Sequence, residues 1–155
     1  ALSCLRTNGR QSMRLGRPFI LVDTRGEPVS ENVLIGRYTL IYFGFTYCPA
    51  ICPTELQKMS KVLTLLGDKG EEITPIFITV DPERDTVETM KQYVELFHPR
   101  LVGLTGTSEQ IKTVKKAYKI YATKVKEEGM IFVNIAVNKF PKDTDNRNIP
   151  ITILL

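Results

Sequence analysis

Two cysteines in the segment FTYCPAICP, residues 45–53, are the side chains of this sequence best suited to chemistry. Cys48 and Cys52 lie four positions apart, and a proline follows each of them. Residues four apart share one face of a helix, with Cα atoms about 6 Å apart, a separation that permits a disulfide. Thiolates also bind soft metal ions such as Cu(I), or Zn(II) when two more ligands are available. The pair is therefore a redox couple, a metal clip or a structural disulfide.

A structural disulfide is the least favoured of these three roles. Closing so short a loop removes little conformational entropy from the unfolded chain. Three cysteines are too few for a disulfide scaffold, and we interpret Cys4, in a distant polar arm, as incidental. The sequence contains neither a phosphate-binding P-loop nor a GxSxG serine motif, and its one histidine excludes an HExxH zinc motif.

A buried strand and an amphipathic helix flank the pair. The run TLIYFGF, residues 39–45, is β-branched, aromatic and mostly apolar, which predicts a strand buried on both faces. Pro53 is tolerated only in the first turn of a helix, so the next helix should begin near residues 51–53. The apolar stripe of this helix is predicted at Leu56, Met59, Leu63 and Leu66, and its end at Gly67 or Gly70.

Both sulfurs should therefore lie at the start of a helix. Unpaired backbone N–H groups and the positive end of the helix dipole stabilise a thiolate relative to a thiol at that position. We therefore expect an electron-rich, redox-active site, with Cys48 more exposed than Cys52.

Two further strand–helix pairs follow along the chain. Buried strands are predicted over residues 73–80 and 101–106. Capping boxes at the following helix starts are predicted from Asp85 with Glu88 and from Thr107 with Gln110. The apolar helix faces are predicted at Val87, Met90, Val94 and Phe97, and at Ile111, Val114, Tyr118 and Tyr121. Strands that alternate with helices predict an α/β fold with a mostly parallel sheet.

The N-terminal part of the chain differs in composition from the rest. PFILVDTRGEPVS, residues 18–30, predicts a β-hairpin with its turn at Arg25 and Gly26. Residues 1–17 contain four arginines and no acid, which accounts for the whole net charge of +4. The neutral remainder argues against nucleic acid binding, which requires a concentrated basic face. The basic arm suits a linker, a juxtamembrane segment or the remnant of a mitochondrial presequence.

Four segments between about residues 16 and 129 follow the order of a known family: GRPFILVDTRGEPVS, GRYTLIYFGFTYCPAICPTELQKM, TPIFITVDPERDT and FHPRLVGLTGT. Through these segments the chain resembles the Sco family (SenC/PrrC-like), copper chaperones of cytochrome c oxidase assembly. This resemblance implies a thioredoxin-like (peroxiredoxin-like) three-layer α/β fold with an N-terminal hairpin. We therefore divide the chain into a basic arm or linker (1–17), a Sco domain (18–129) and an atypical C-terminal segment (130–155).

The resemblance also implies a metal site. Cys48 and Cys52 match the two copper-binding cysteines of the family, and Asp81 matches an acidic residue near the metal, an outer group rather than a direct ligand. The third ligand of the family is a histidine in a VDH segment on a later strand. The only histidine of this chain, His98, does not match that position. We expect His98 to be a solvated loop residue and not a ligand.

The C-terminal segment departs from the family pattern. It contains no VDH and no histidine, and it shows no periodic stretch long enough for a closing helix. MIFVNIAV, residues 130–137, could still pair as a strand in the place of the family's ligand strand. We interpret the departure as an alternative or mis-spliced C-terminus, or a gene-model error, that leaves the last strand and helix incomplete. A transcript read across this junction tests the interpretation.

Two function classes follow for the cysteine pair. The first is a copper metallochaperone that receives copper from an upstream donor chaperone and delivers Cu(I) to the copper-site subunit of cytochrome c oxidase. The second is a thiol–disulfide oxidoreductase or redox sensor, in which Cys48 attacks and Cys52 resolves the mixed disulfide. A peroxiredoxin-like peroxidase is a weaker third class, because the CPxxCP spacing favours Sco. Whether the chain is an enzyme therefore stays open.

Without the histidine, we expect some affinity for Cu(I), poor binding of Cu(II) and poor copper transfer, because only Cu(I) accepts so few ligands. The resemblance implies a domain that faces the mitochondrial intermembrane space, tethered to the inner membrane in a longer precursor.

Overall fold

The helices and strands that follow the cysteine pair alternate along the chain. The computed structural model describes residues 18–31, 38–49, 51–118, 120–124 and 131–135. Its strands are β1 (Ile20–Asp23), β2 (Pro28–Ser30), β3 (Tyr38–Gly44), β4 (Ile73–Thr79), β5 (Val102–Thr105), β6 (Ile120–Lys124) and β7 (Ile131–Ile135). Its helices are α1 (Ile51–Leu66), α2 (Val87–Val94) and α3 (Ser108–Ala117), with a 3-10 helix at Gly67–Glu72. Among these described helices, none is long and apolar enough to span a bilayer.

Five strands form one mixed sheet in the order β2-β1-β5-β4-β3. β3, β4 and β5 are parallel, whereas β1 is antiparallel to both β2 and β5. β3 pairs with β4 along its whole length, from Tyr38 opposite Ile73 to Gly44 opposite Thr79. The α/β prediction is confirmed. Because parallel strands end at the same edge, the cysteine segment after β3 and the loop after β4 start side by side.

The N-terminal hairpin forms as expected. Gly26 adopts φ 80°, a left-handed conformation that glycine accepts without strain. The Asp23 carboxylate accepts backbone N–H groups of Arg25 at 2.8 Å and Glu27 at 3.0 Å, which closes the turn.

Aromatic side chains show which helix covers which face of the sheet. On one face Tyr42 stacks on Phe77 with centroids 6.1 Å apart, and Tyr93 of α2 lies 5.6 Å from Phe77. Phe43 lies 5.6 Å from Tyr118, which follows α3. Successive strand residues point to opposite faces, so α2 and α3 cover opposite sides. The three-layer architecture places the core on both faces of the sheet.

The cysteine helix begins as the proline pattern predicted. α1 begins at Ile51 and buries Leu56, Met59 and Leu63. Leu66 lies at the end of the helix and is 40% exposed, so the stripe is one residue shorter than predicted. Gly67, at φ 52°, ends the helix in the left-handed conformation.

The later helices are shorter than their apolar stripes suggested. α2 buries Met90 and Val94 but ends there, so Phe97 packs from the following turn. α3 ends at Ala117, and Tyr121 lies in β6 rather than on the helix as predicted. A 3.6-residue period detects the helix interiors but not the point at which the chain turns away.

One of the two predicted capping boxes forms. Thr107 and Gln110 exchange side chain and backbone hydrogen bonds at the start of α3. The Asp85 box is wrong, because the N-cap of α2 is Thr86, whose hydroxyl accepts the backbone N–H of Thr89 at 3.3 Å. The Asp85 side chain binds elsewhere.

The segment after residue 130 contributes a strand. β7 pairs antiparallel with β6, with Ile120 opposite Ile135 and Lys124 opposite Ile131. The two form a separate two-stranded sheet. Residues 131–135 are thus a strand, as considered, but their partner is β6. The basic arm with Cys4 and the segment after residue 135 lie outside the described residues.

Candidate metal centre

Cys48 and Cys52 meet at the start of α1. After β3 the chain turns, with the backbone N–H of Cys48 donating to the carbonyl of Phe45 at 3.3 Å. The backbone N–H of Cys52 then donates to Sγ of Cys48 at 3.5 Å. The Cys48 sulfur therefore accepts one of the unpaired N–H groups of the helix N-terminus. Both cysteines are thiols.

The two sulfurs have different environments. Cys48 is half-buried, whereas Cys52 is buried, with 3% of its surface exposed. Burial raises the pKa of the Cys52 thiol to about 11, although hydrogen bonds from the Phe45 backbone and the Tyr42 hydroxyl act to lower it. The expectation that both sulfurs favour the thiolate is wrong for Cys52. Desolvation outweighs these hydrogen bonds, so Cys52 is a thiol at neutral pH in the absence of metal.

Gly44 makes room for the buried sulfur. A Cβ atom at this position would lie 2.9 Å from Sγ of Cys52, 2.9 Å from Cε1 of Tyr42 and 3.0 Å from Cε2 of Phe77. Real Cβ atoms essentially never approach so closely, so any larger residue displaces a neighbour. The wall behind Cys52 is therefore backbone and aromatic ring.

Two tyrosine hydroxyls lie close to this wall. Burial raises the pKa of Tyr42, and its hydrogen bond with Cys52 raises it further. Burial also raises the pKa of Tyr93. The negative charges of Cys52 and Cys48, when these are ionised, raise the Tyr93 pKa further. Within the described part of the chain, the Tyr93 hydroxyl is buried without a hydrogen-bond partner. The sequence pattern indicates Tyr42 only as a strand residue and gives no signal for Tyr93.

Asp81 reaches the cysteine segment through another side chain. Its carboxylate is buried and accepts a hydrogen bond from Nε of Arg84. The Arg84 guanidinium lies over the ring of Tyr47, 4.9 Å from the centroid. Tyr47 directly precedes Cys48 and is 72% exposed. The structure thus places Asp81 beside the cysteine segment, connected to it by an arginine.

Asp85 contacts the cysteine segment directly, although its sequence pattern predicted only a helix cap. Its fully buried carboxylate accepts the backbone N–H of Thr46 at 3.0 Å, the hydroxyl of Thr46 and the hydroxyl of Thr79 at 2.6 Å. The residue after Asp85, Thr86, could have indicated this from sequence. Threonine is itself a favoured N-cap residue, so Asp85 is not needed as the cap of α2.

His98 lies at the other edge of the sheet. Its Nδ1 accepts the backbone N–H of Arg100 at 3.2 Å, and the Arg100 guanidinium donates to the carbonyls of Gly70 and Ile73 at the start of β4. β4 has seven residues, which at about 3.3 Å each separate this edge from the cysteines by about 20 Å. His98 is half-buried rather than solvated, and burial lowers its pKa. It is too distant to share a metal ion with the cysteines.

The candidate donors that the described residues bring together are the two cysteine sulfurs. Among the described residues, no group of three or more His, Cys, Asp or Glu side chains could hold a metal ion. Two thiolates on one helical turn suit a soft ion that accepts low coordination.

Comparison with known proteins agrees with this fold. The SCO1/SenC family model matches residues 7–138. The mitochondrial SCO1 homolog 1 of Arabidopsis thaliana is 47% identical over 115 residues, which are 74% of this chain and 34% of that protein. The chain thus spans about a third of the length of this relative.

Solved structures give the same result. The chain is similar to Arabidopsis thaliana ScoI with copper bound, at 44% identity and TM-score 0.73, covering 78% of both chains. It is also similar to Bradyrhizobium japonicum ScoI with copper bound, at 44% identity and TM-score 0.70, covering 77% of this chain and 76% of that one. The fold is thioredoxin-like, and the chain belongs to the SCO1/SenC family.

Proposed function

We propose that this chain is a copper metallochaperone that binds Cu(I) with Cys48 and Cys52 and delivers it during cytochrome c oxidase assembly. The observation that carries the proposal is the meeting of two thiols at a helix N-terminus, where the N–H of Cys52 donates to the sulfur of Cys48. The copper-bound structures of two similar Sco proteins support it.

The two sulfurs have different tasks in this proposal. Buried Cys52 anchors the ion, and half-buried Cys48 is the ligand that an incoming thiol can replace. Copper takes the place of the thiol protons, so binding releases protons and tightens as pH rises. Transfer is a ligand exchange, in which the partner's thiolate bonds to Cu(I) while the bond to Cys48 breaks, and no electron moves.

Cu(I) is favoured over Cu(II) at this site. Cu(II) prefers additional nitrogen or oxygen ligands in tetragonal geometry, whereas Cu(I) accepts two thiolates. The described residues offer no third ligand, so we expect weak Cu(II) binding and poor copper transfer.

The cellular setting is carried from the family. We place the domain in the intermembrane space, tethered to the mitochondrial inner membrane in a longer precursor. Its partners there are an upstream copper donor chaperone and the copper-site subunit of cytochrome c oxidase. The mitochondrial location given in the name of the Arabidopsis relative supports this setting.

Competition with a Cu(I) chelator tests the proposal. The reduced protein is titrated without oxygen in a Cys4→Ser background, so that only the pair supplies thiols. One tight equivalent is expected, and it should disappear in Cys48→Ala and in Cys52→Ala. His98→Gln is the matched control and should bind as the parent does. No binding stronger than that of the chelator would exclude the copper function.

A thiol–disulfide oxidoreductase is the second candidate, and the unequal exposure of the two sulfurs favours it. Cys48 as thiolate attacks a sulfur of a partner disulfide, which releases one partner thiolate. The Cys52 thiol then gives its proton to the released thiolate and displaces the second partner thiolate, so the partner is reduced and the pair is oxidised. A redox titration tests this, because a midpoint below about −300 mV indicates a structural disulfide instead.

A further inference from the structure

Asp85 is a buried carboxylate without a part in the copper chemistry proposed above. Its side chain lies between the end of β4 and the start of α2 and is fully buried. Within the part of the chain that the structure describes, no lysine or arginine forms an ion pair with it. A buried carboxylate is costly unless hydrogen bonds satisfy its oxygens. The donors that satisfy Asp85 therefore indicate what it does.

These donors come from the carboxyl ends of the parallel strands. Thr46, just after β3, donates both its backbone N–H and its hydroxyl. Thr79, at the end of β4, donates its hydroxyl at 2.6 Å. The backbone carbonyl of Asp85 accepts the hydroxyl of Thr105, at the end of β5, at 2.7 Å. One residue thus joins the ends of three strands.

The bond with Thr46 reaches the metal ligands. Thr46 lies two residues before Cys48 and is held at two points, which restrains its rotation as well as its position. Cys48 follows in a closed turn, and its sulfur rests on the N–H of Cys52. Cys52 is fixed independently by α1 and by the wall at Gly44. The separation of the two sulfurs therefore depends on how firmly Thr46 is held.

We propose that Asp85 is a positioning residue of the cysteine site, holding the segment that carries Cys48 so that both sulfurs face one ion. The expected effect of Asp85 on copper affinity rests on the proposed Cu(I) function. The same restraint also acts on the metal-free cysteine pair, so it can be measured without copper. Asp85 touches neither the sulfurs nor the metal in this role.

Two threonine variants separate positioning from general stability. Thr46→Val removes the hydroxyl that joins the cysteine segment to the Asp85 carboxylate. Thr79→Val removes the hydroxyl that joins the end of β4 to the same carboxylate. Thr79 also accepts the backbone N–H of Asp81 at 3.0 Å, so its loss should lower fold stability at least as much. Asp85→Asn can keep the contacts, because its oxygen accepts from Thr46 N–H while its amide donates to the Thr46 hydroxyl oxygen.

Two measurements are made on each reduced, folded variant. In Thr46→Val the Cu(I) dissociation constant should rise about tenfold, and the dithiol should lose about tenfold in disulfide stability. That loss corresponds to a midpoint potential about 30 mV less negative. Thr79→Val and Asp85→Asn should stay within about threefold of the parent in both measurements. Circular dichroism and thermal unfolding confirm that each variant is folded.

Equal effects of Thr46→Val and Thr79→Val would overturn the proposal, because Asp85 would then act only on the fold. So would a Thr46→Val protein that matches the parent in both measurements. Absence of Cu(I) binding in the parent is a different result. It removes the proposed copper function, and the dithiol potentials still decide whether Asp85 positions Cys48.

Discussion

The two site sulfurs differ at the residue scale because different neighbours surround them. Cys48 accepts a helix N–H at the surface, whereas Cys52 packs against Gly44 and the ring of Tyr42. From the residue types and their four-residue spacing, the meeting of the two cysteines at a helix start could be predicted. The raised pKa of Cys52 could not, since it results from burial of the thiol in the folded core.

Gly44→Ala should disturb the site through contact alone. The new methyl group would lie 2.9 Å from the Cys52 sulfur, so the sulfur or the strand must move. We expect a loss of about 1–3 kcal/mol in unfolding free energy and at least a tenfold weaker Cu(I) complex. Gly103→Ala in β5 is the control, since its Cβ would lie 2.8 Å from Cγ1 of Val94 in α2, away from the cysteines. It should lose stability and keep its copper affinity; equal copper affinity in both variants would contradict the packing argument.

Tyr42→Phe should make Cys52 harder to ionise. The hydroxyl of Tyr42 lowers the pKa of the thiol against the larger effect of burial, so its removal moves that pKa above about 11. The pH dependence of alkylation at Cys52, followed by mass spectrometry, measures the shift. Tyr118→Phe is the matched control, because it removes a buried hydroxyl that has no hydrogen-bond partner in the described structure. A change in Cys52 reactivity in that variant, or none in Tyr42→Phe, would count against the hydrogen bond.

The Cys52 thiol should also make the metal-free protein less stable in alkali. Its pKa rises from 9.0 to about 11 on folding, so the folded state keeps a proton that the unfolded chain has lost in that interval. Stability from this group is complete below pH 9 and is lost as pH rises towards 11, by at most roughly 3 kcal/mol. Urea unfolding of the parent and of Cys52→Ser measures it. The parent should show the steeper decline, and parallel curves would refute the linkage.

At the element scale, local patterns predicted what the elements are better than where they end. Pro53 located the start of α1 and Thr107 that of α3, because both act within one turn. Asp85 was misassigned because its true partner, Thr46, lies 39 residues away. Tyr121 was wrongly predicted on the apolar face of α3, although it lies in β6. The spacing of apolar residues does not show where the backbone changes from helix to strand.

Thr107→Ala should weaken the start of α3. It removes the hydroxyl that accepts the Gln110 N–H, at a cost of about 1 kcal/mol in unfolding free energy. Thr113→Ala, on the exposed side of the same helix, should change stability by less than about 0.5 kcal/mol, because alanine favours the helix. Chemical denaturation measures both, and an equal loss would show that the cap is not the cause.

At the scale of the whole molecule, the order of strands and helices predicted an α/β fold and placed the cysteines at the carboxyl edge of the sheet, whereas the three-layer arrangement was implied by the family resemblance. Strand order within the sheet was not predicted, because pairing is decided by contacts between distant segments. The partner of β7 is one such case: its sequence allowed a strand, but pairing with β6 follows only from the structure.

Copper should stabilise the domain, because the folded state holds Cys48 and Cys52 together at the start of α1 and therefore binds the ion more tightly than the unfolded chain. Free Cu(I) at about 100 times its dissociation constant adds at most about 2.7 kcal/mol. At roughly 2–4 °C per kcal/mol for a chain of this size, the melting temperature rises by up to about 10 °C. Differential scanning fluorimetry without oxygen measures the shift, in the Cys4→Ser background. It should vanish in Cys52→Ala and persist in His98→Gln, whose side chain lies at the far edge of the sheet. A rise of the same size in Cys52→Ala would place the stabilising copper outside the cysteine pair.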